Sequence, residues 1–240
     1  TIADALRCGR ASQKSGLSLG GVEGFEGILS DVASGDAFLD LMCETADAVA
    51  QAGLFAPDLP IILTAGGSAY YDRVATRLRA SPALNGRTKI LSRSGCYLTH
   101  DSGSYEQAFA QLRARDPASA PKTFQPALAV FAIVQSRPEP RKAIVSMGRR
   151  DAGFDAGLPI PEMVFRTGRD ARPVPIAAGH RISALNDQHG HLELPAGSDL
   201  AVGDVVGFGV SHPCTTFDKW QVLMVIDDDY RIVDAVRTFF

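Results

Sequence analysis

Gly203–Trp220, GDVVGFGVSHPCTTFDKW, is the stretch from which the rest of the chain is read. Val205, Val206, Phe208 and Val210, with glycines between them, predict a strand, and Pro213 is expected to end it. An imidazole, His212, and a thiol, Cys214, then stand two residues apart at the strand's end. Residues i and i+2 of an extended chain point to one face, so both could reach one ion. Nitrogen and thiolate sulfur together suit zinc. Two protein ligands leave positions for water or substrate, as a Lewis-acid site requires. The spacing equally allows a surface histidine beside a buried free cysteine.

Around this stretch lie 240 residues, room for one large domain or two smaller ones. Apolar residues make up 45% and charged residues 21%, enough for a substantial core without staples. A net charge of -3 gives no excess positive field, so neither nucleic acid nor an anionic membrane surface is an expected partner. No apolar run approaches a membrane span, and TIADALRCGRASQKSG lacks the apolar core of a signal peptide. Cys8, Cys43, Cys96 and Cys214 form no disulfide framework, which fits a reducing, cytoplasmic setting.

Residues 1–120 alternate between helical and strand signals. Thr1–Arg10 reads as a helix end and Leu17–Val22 as a short strand. Ser34 or Asp36 is expected to cap a helix whose apolar positions Phe38, Leu39, Met42, Cys43, Ala46 and Val49 recur at helical spacing, with Gly53 at its end. Pro60–Thr64 is an apolar strand of the kind buried on both faces of a parallel sheet. Tyr70–Ala80 and Ser104–Arg115 read as helices and Lys89–Leu91 as a strand. This βα repeat predicts part of a parallel barrel or a doubly wound sheet. Pro117, Pro121 and Pro126 mark a linker, and residues 121–240 read as a β domain. Its strand signals are Phe131–Val134, Ala143–Val145, Met163–Phe165, Leu200–Val210, Val222–Ile226 and Tyr230–Val236. Asp227–Asp229 is expected to turn a C-terminal hairpin.

Three glycine-bearing stretches follow the strands of the first half. In Thr64–Ser68 the glycines let the backbone approach a ligand. Amides at the following helix start, with the Ser68 hydroxyl, would bind a phosphate. The same Gly-Gly is also what a tight βα turn needs for conformational reasons. Ser92–Tyr97 offers a second close approach at Gly95 and a ring or hydroxyl at Tyr97; a bend with a packed tyrosine is the plainer reading. Gly20–Gly27 reads as a flexible loop. All three are expected at carboxyl ends of strands, where α/β barrels build their sites. In the second half, His189 in Leu185–Gly190 reads as an exposed turn histidine unless it converges on His212. Gly148–Pro159 is long for a mere connector.

Taken in order, TAGGS (64–68), RSGCY (93–97) with THD (99–101), MGRRDAGFDAGLP (147–159), LNDQHG (185–190) and SHPCTTF (211–217) resemble one group of enzymes over nearly the whole chain. These are the D-serine dehydratases and D-threonine aldolases, and above all their bacterial branch of cryptic D-serine deaminases. They are type III pyridoxal-phosphate enzymes of alanine-racemase-like fold. The resemblance implies an α/β barrel carrying pyridoxal 5'-phosphate, followed by a β domain that supplies metal ligands. It implies Gly66, Gly67 and Ser68 at the cofactor's phosphate, and Gly95 and Tyr97 beside the cofactor. It also implies His212 and Cys214 on zinc, and His189 near the substrate. A cysteine at the second metal position is closer to the dehydratases than to the aldolases, which tend to have aspartate there.

One part of the family pattern is missing. The Schiff-base lysine stands on an early barrel strand in the family, and none of Lys14, Lys89, Lys122, Lys142 and Lys219 occupies such a position. The chain is therefore expected to be the C-terminal part of a longer enzyme, with only three or four of eight barrel strands. An N-terminal barrel segment of the same enzyme is then a required partner, and the resemblance implies a homodimer. The expected reaction is dehydration and deamination of a D-3-hydroxy amino acid such as D-serine to a 2-oxo acid and ammonia. A D-threonine aldolase is one alternative. A non-catalytic fragment or binding module, with residual phosphate or metal affinity, is the other.

Overall fold

A computed structural model describes residues 1–67, 69–80, 86–95, 98–117 and 124–239. They form two compact units, Thr1–Tyr97 and Leu98–Phe240.

The first unit contains α1 (Ile2–Lys14), β1 (Gly21–Glu23), α2 (Val32–Gln51), β2 (Ile61–Ala65), α3 (Tyr71–Arg77) and β3 (Thr88–Ser92). The strands form a parallel sheet in the order β1-β2-β3, with Val22 opposite Leu63 and Leu63 opposite Ile90. The central strand is the expected apolar run, and Ile61, Leu63 and Ala65 point into the core. α2 meets them with Leu39, Met42, Ala46 and Val49, buried at helical spacing. Because the strands are parallel, their carboxyl ends share one edge. That edge carries the loops beginning at Gly24, Gly66 and Arg93.

The cap of α2 differs from expectation. Asp31, in extended backbone, accepts the Ser34 amide at 2.8 Å, so the helix starts before Ser34 and Asp36. Asp36 faces α3 instead. Arg73 grips its carboxylate with two hydrogen bonds, 2.8 and 2.6 Å, and Arg77 adds a third at 2.6 Å. The hydrogen bond from Arg73 is the main cause that holds the Asp36 carboxyl down at about 2, against the opposing effect of burial. A depressed folded value stabilises the unit above the ordinary carboxylate range near pH 4, and that stability is lost as pH falls through about 2. We expect Asp36→Asn to lower the melting temperature at pH 7 and to flatten its decline between pH 4 and 2 relative to the parent chain. Parallel declines would show that the pair carries no such linkage.

The second unit contains α4 (Ser104–Arg115), β4 (Ala129–Glu139), β5 (Lys142–Val145), β6 (Ile160–Phe165), β7 (Val174–Pro175), β8 (Arg181–Leu185), β9 (Gly190–Glu193), β10 (Val205–Gly209), α5 (Pro213–Phe217), β11 (Val222–Ile226) and β12 (Ile232–Arg237). Seven strands form one antiparallel sheet in the order β7-β6-β10-β4-β5-β9-β8. Strict alternation sets its inner face. Val130, Ala132 and Val134 are buried while Phe131 and Ile133 between them are exposed. Val145, Leu192, Val206 and Phe208 join them in a single apolar core. β11 and β12 pair as the expected hairpin. In its turn Asp227 accepts the amides of Asp229 and Arg231, each at 2.9 Å, so that carboxylate serves the turn itself.

The compact units divide before α4, so this helix is grouped with the β-rich unit. The domain division at residue 120, drawn from composition, stays our proposal. The THD stretch builds the start of α4. Asp101, almost fully buried, accepts the amides of Gly103 and Tyr105 at 2.7 and 3.0 Å. Burial raises its carboxyl above the usual range, against those hydrogen bonds. His100 takes a left-handed φ of 51° and places Nε2 3.0 Å from Glu106.

Candidate functional site

β10 ends at Gly209, before His212. The expected extended run through His212, Pro213 and Cys214 is therefore a correction: Pro213 opens α5 at its first position, where a fixed φ and a missing N–H cost nothing. His212 is the residue before the helix and still extended, with φ -148° and ψ 98°. Cys214 lies in the first turn of α5 and is exposed. The two side chains thus emerge from a strand-to-helix corner, not from one face of a strand.

The loop Gly148–Leu158 holds this corner. Asp155 Oδ2 lies 2.6 Å from His212 Nδ1, and the Thr215 hydroxyl donates to Asp155 Oδ1 at 2.8 Å. Partial desolvation works against the Asp155 carboxylate. The hydrogen bonds from Thr215 and His212 outweigh it and hold its carboxyl below the usual range. The Gly153 amide donates to Thr216 Oγ1 at 2.9 Å, and the Trp220 indole N–H donates to the Asp151 carbonyl at 2.7 Å. Glycine is required at 153, since a Cβ there would lie 2.4 Å from Thr215 Oγ1 and 2.9 Å from the His212 carbonyl. At its other end the loop is laid on the β8–β9 turn. The amides of Arg149 and Arg150 donate to the carbonyls of Asn186 and Asp187, at 2.9 and 3.0 Å. A Cβ at Gly148 would meet those carbonyls at 2.5 and 2.4 Å. One loop thus ties the turn that carries His189, which is exposed, to the corner that carries His212.

The donor set fits a metal. With a carboxylate on Nδ1, the imidazole is fixed with its proton there, and Nε2 has no hydrogen-bond partner among the described residues. An imidazole held this way by a carboxylate is the usual arrangement of a histidine ligand. Among the described residues no three His, Cys, Asp or Glu side chains gather as a metal set. The groups at this corner that could hold a metal are therefore His212 Nε2 and the exposed Cys214 thiol.

The glycine turn is built differently from expectation. Gly66 and Gly67 are buried, and both amides donate to the carboxylate of Glu26, at 3.0 and 2.7 Å. Their lack of side chains has a packing reason as well. Gly66 has φ 134°, and a Cβ on it would lie 2.7 Å from the Arg93 amide nitrogen. A Cβ on Gly67 would lie 2.6 Å from Gly27 Cα. Among the described residues nothing lies within 4 Å of where a Cβ on Gly95 would stand. Ser68 and Tyr97 lie outside the described residues. Lys14 is in α1, Lys89 in the first half of β3 and Lys142 in β5, Lys219 follows α5, and Lys122 is outside the described residues. None of the described lysines stands at the carboxyl end of β1, β2 or β3.

Asp155, Thr215 and Glu26 escaped the sequence reading. Each lies in or beside a stretch whose composition invited attention, but only the hydrogen-bond partners, 60, 60 and 41 residues away at most, single it out.

Comparison with known proteins agrees with this architecture. The chain has the alanine-racemase-like fold, as part of an α/β barrel followed by a β domain. It superposes on D-threonine aldolase from Filomicrobium marinum with a TM-score of 0.64 and 21% identity, over 92% of this chain and 53% of that one. For D-threo-3-hydroxyaspartate dehydratase from Delftia sp. HT23 the values are 0.60 and 20%, over 99% and 60%. For an alanine-racemase-like protein from Idiomarina loihiensis they are 0.56 and 13%, over 99% and 69%. Residues 127–226 match the family model described as a putative serine dehydratase domain. The likeness to the D-serine dehydratase and D-threonine aldolase group, read from the ordered motifs, therefore holds. The chain spans little more than half the length of the first two structures. A D-threo-3-hydroxyaspartate dehydratase has also been solved with a histidine-to-alanine change and with a cysteine-to-alanine change two positions further on, the latter in a metal-free form. No curated protein sequence matches. No helix among the described residues is long and apolar enough to cross a membrane.

Proposed function

We propose that this chain is part of a lyase that removes the hydroxyl of a D-3-hydroxy amino acid such as D-serine. One observation carries the reading. His212 is locked by Asp155 with Nε2 left open, and Cys214 follows in the first turn of the adjoining helix. A histidine and a cysteine two positions apart are also the residues changed to alanine in two solved mutants of the related dehydratase, the cysteine mutant in a metal-free form. Zinc suits this nitrogen and sulfur pair. Bound there, it would supply Lewis acidity at the β-hydroxyl oxygen, making hydroxide a better leaving group.

The residues of the chain then have separate tasks. His212 and Cys214 hold the ion. Asp155 keeps the His212 proton on Nδ1 and so presents the Nε2 lone pair. His189, on the turn tied to the same loop, would hold or pass a proton at the departing oxygen. The balance is plain: the α-proton and the β-hydroxyl leave as water, and hydrolysis of the resulting enamine gives pyruvate and ammonia.

Pyridoxal phosphate enters from the resemblance, with Gly66, Gly67, Ser68, Gly95 and Tyr97 as the residues to receive it. The described residues do not fit its phosphate on the Gly66 and Gly67 amides, which already serve Glu26, nor do they offer a lysine for its aldehyde. The reading therefore also calls for further barrel strands. Among the described residues, β1 and β3 each have only β2 as a neighbour. A second copy of the chain and a cytoplasmic setting complete it. The likeness to D-threonine aldolase favours carbon–carbon cleavage as the second reading. Product analysis of the enzyme with D-threonine separates the two. Oxobutanoate and ammonia support dehydration; glycine and acetaldehyde would replace it with aldol cleavage.

A further inference from the structure

We infer that Glu26 is the resident anion of the Gly66–Gly67 turn, so that these two amides are not available to an outside phosphate. Glu26 is 0% exposed, and both of its carboxylate oxygens accept glycine amides, at 3.0 and 2.7 Å. Among the described residues no cation pairs with it. Arg93, on the same edge, spends its guanidinium on Thr64 Oγ1, the Gly24 carbonyl and Glu23. Two amides converging on one anionic group form the concave nest that elsewhere binds phosphate. Here the nest is filled from within the chain.

A buried carboxylate without a counter-ion is costly unless such donors satisfy it. Removing Glu26 from the amides would leave it unpaired in the interior, and a phosphate beside it would add like-charge repulsion. An incoming phosphate therefore has to be met by other groups of this edge, and Gly95, where no described residue lies within 4 Å of a Cβ's place, is where the described backbone permits approach. Glu26 has a second effect. It ties the loop after β1 to the turn after β2, in the place where Gly27 and Gly67 pack backbone to backbone. This assignment does not depend on the lyase reading and stands or falls separately from it.

Amide NMR of the full chain tests it, with inorganic phosphate and pyridoxal phosphate as probes. In the parent chain we expect the Gly66 and Gly67 amides to be strongly protected from exchange and unmoved by millimolar amounts of either probe. Saturable shifts at those two amides would overturn the assignment. In Glu26→Ala we expect protection of both amides to fall by at least about tenfold, as loss of a charge-assisted hydrogen bond implies, and phosphate to shift them. Parent-like shifts and protection in Glu26→Ala would also overturn it. If Glu26→Ala does not fold, the titration of the parent chain decides alone.

Discussion

Replacing His212 by alanine is expected to abolish stoichiometric zinc binding. On the proposed reading His212 and Cys214 are the two protein ligands, and among the described residues no third His, Cys, Asp or Glu completes a set that could compensate. Cys214→Ala should do the same. Asp155→Ala should be milder, because it removes the group that orients the ligand and not the ligand itself. Outer-sphere partners of this kind are worth about 10–100-fold in affinity, so the direct ligands should each cost more than about 100-fold. Thr215→Val, one hydrogen bond further out, should fall below Asp155→Ala. Zinc affinity by competition with a chromophoric chelator gives the order. If Asp155→Ala binds as the parent does, the 2.6 Å pair between Asp155 and His212 is a surface contact and not a support for the metal.

Phe208→Ala should be the most destabilising single change in the β-rich unit. Phe208 is fully buried in β10, which lies between β6 and β4 in the seven-stranded sheet. Its side chain belongs to the one core shared by these strands. Truncating a buried phenylalanine to alanine costs about 3–5 kcal/mol through lost transfer energy and the cavity left behind. Native domains carry about 5–15 kcal/mol in all, so roughly a fifth or more of the reserve is at stake. Urea unfolding should show a lower midpoint with an unchanged slope. The same strand leads directly into the His212 corner, so loosening it should also weaken zinc binding. A change below about 1 kcal/mol would show that the site can collapse around the missing ring.

Elements with strong periodicity were legible in the sequence. The α2 stripe, the apolar β2 and the alternating β4 each follow from which faces are buried, and burial is written in residue type. β8 and β9 were not legible. In RISAL only Ile182 and Leu185 point inward, across a register shift near Ala184, and GHLE is too short to show a period. At the His212 corner the sequence pointed to the wrong backbone. Pro213 ends a strand and opens a helix with equal ease, and only the tertiary setting chose the helix. The glycine pair at 66–67 was legible as an anion nest. Its tenant was not, because a glutamate forty residues upstream carries no local mark of where its carboxylate goes.

The central claim is that His212 and Cys214 together hold a zinc ion on a site left open to substrate. X-ray absorption at the zinc edge of the purified, zinc-loaded protein tests this most directly. One sulfur is expected at about 2.3 Å and one imidazole nitrogen at about 2.0–2.1 Å, with lighter oxygen donors filling the remaining positions. A zinc shell of nitrogen and oxygen alone, with no sulfur scattering, would contradict it.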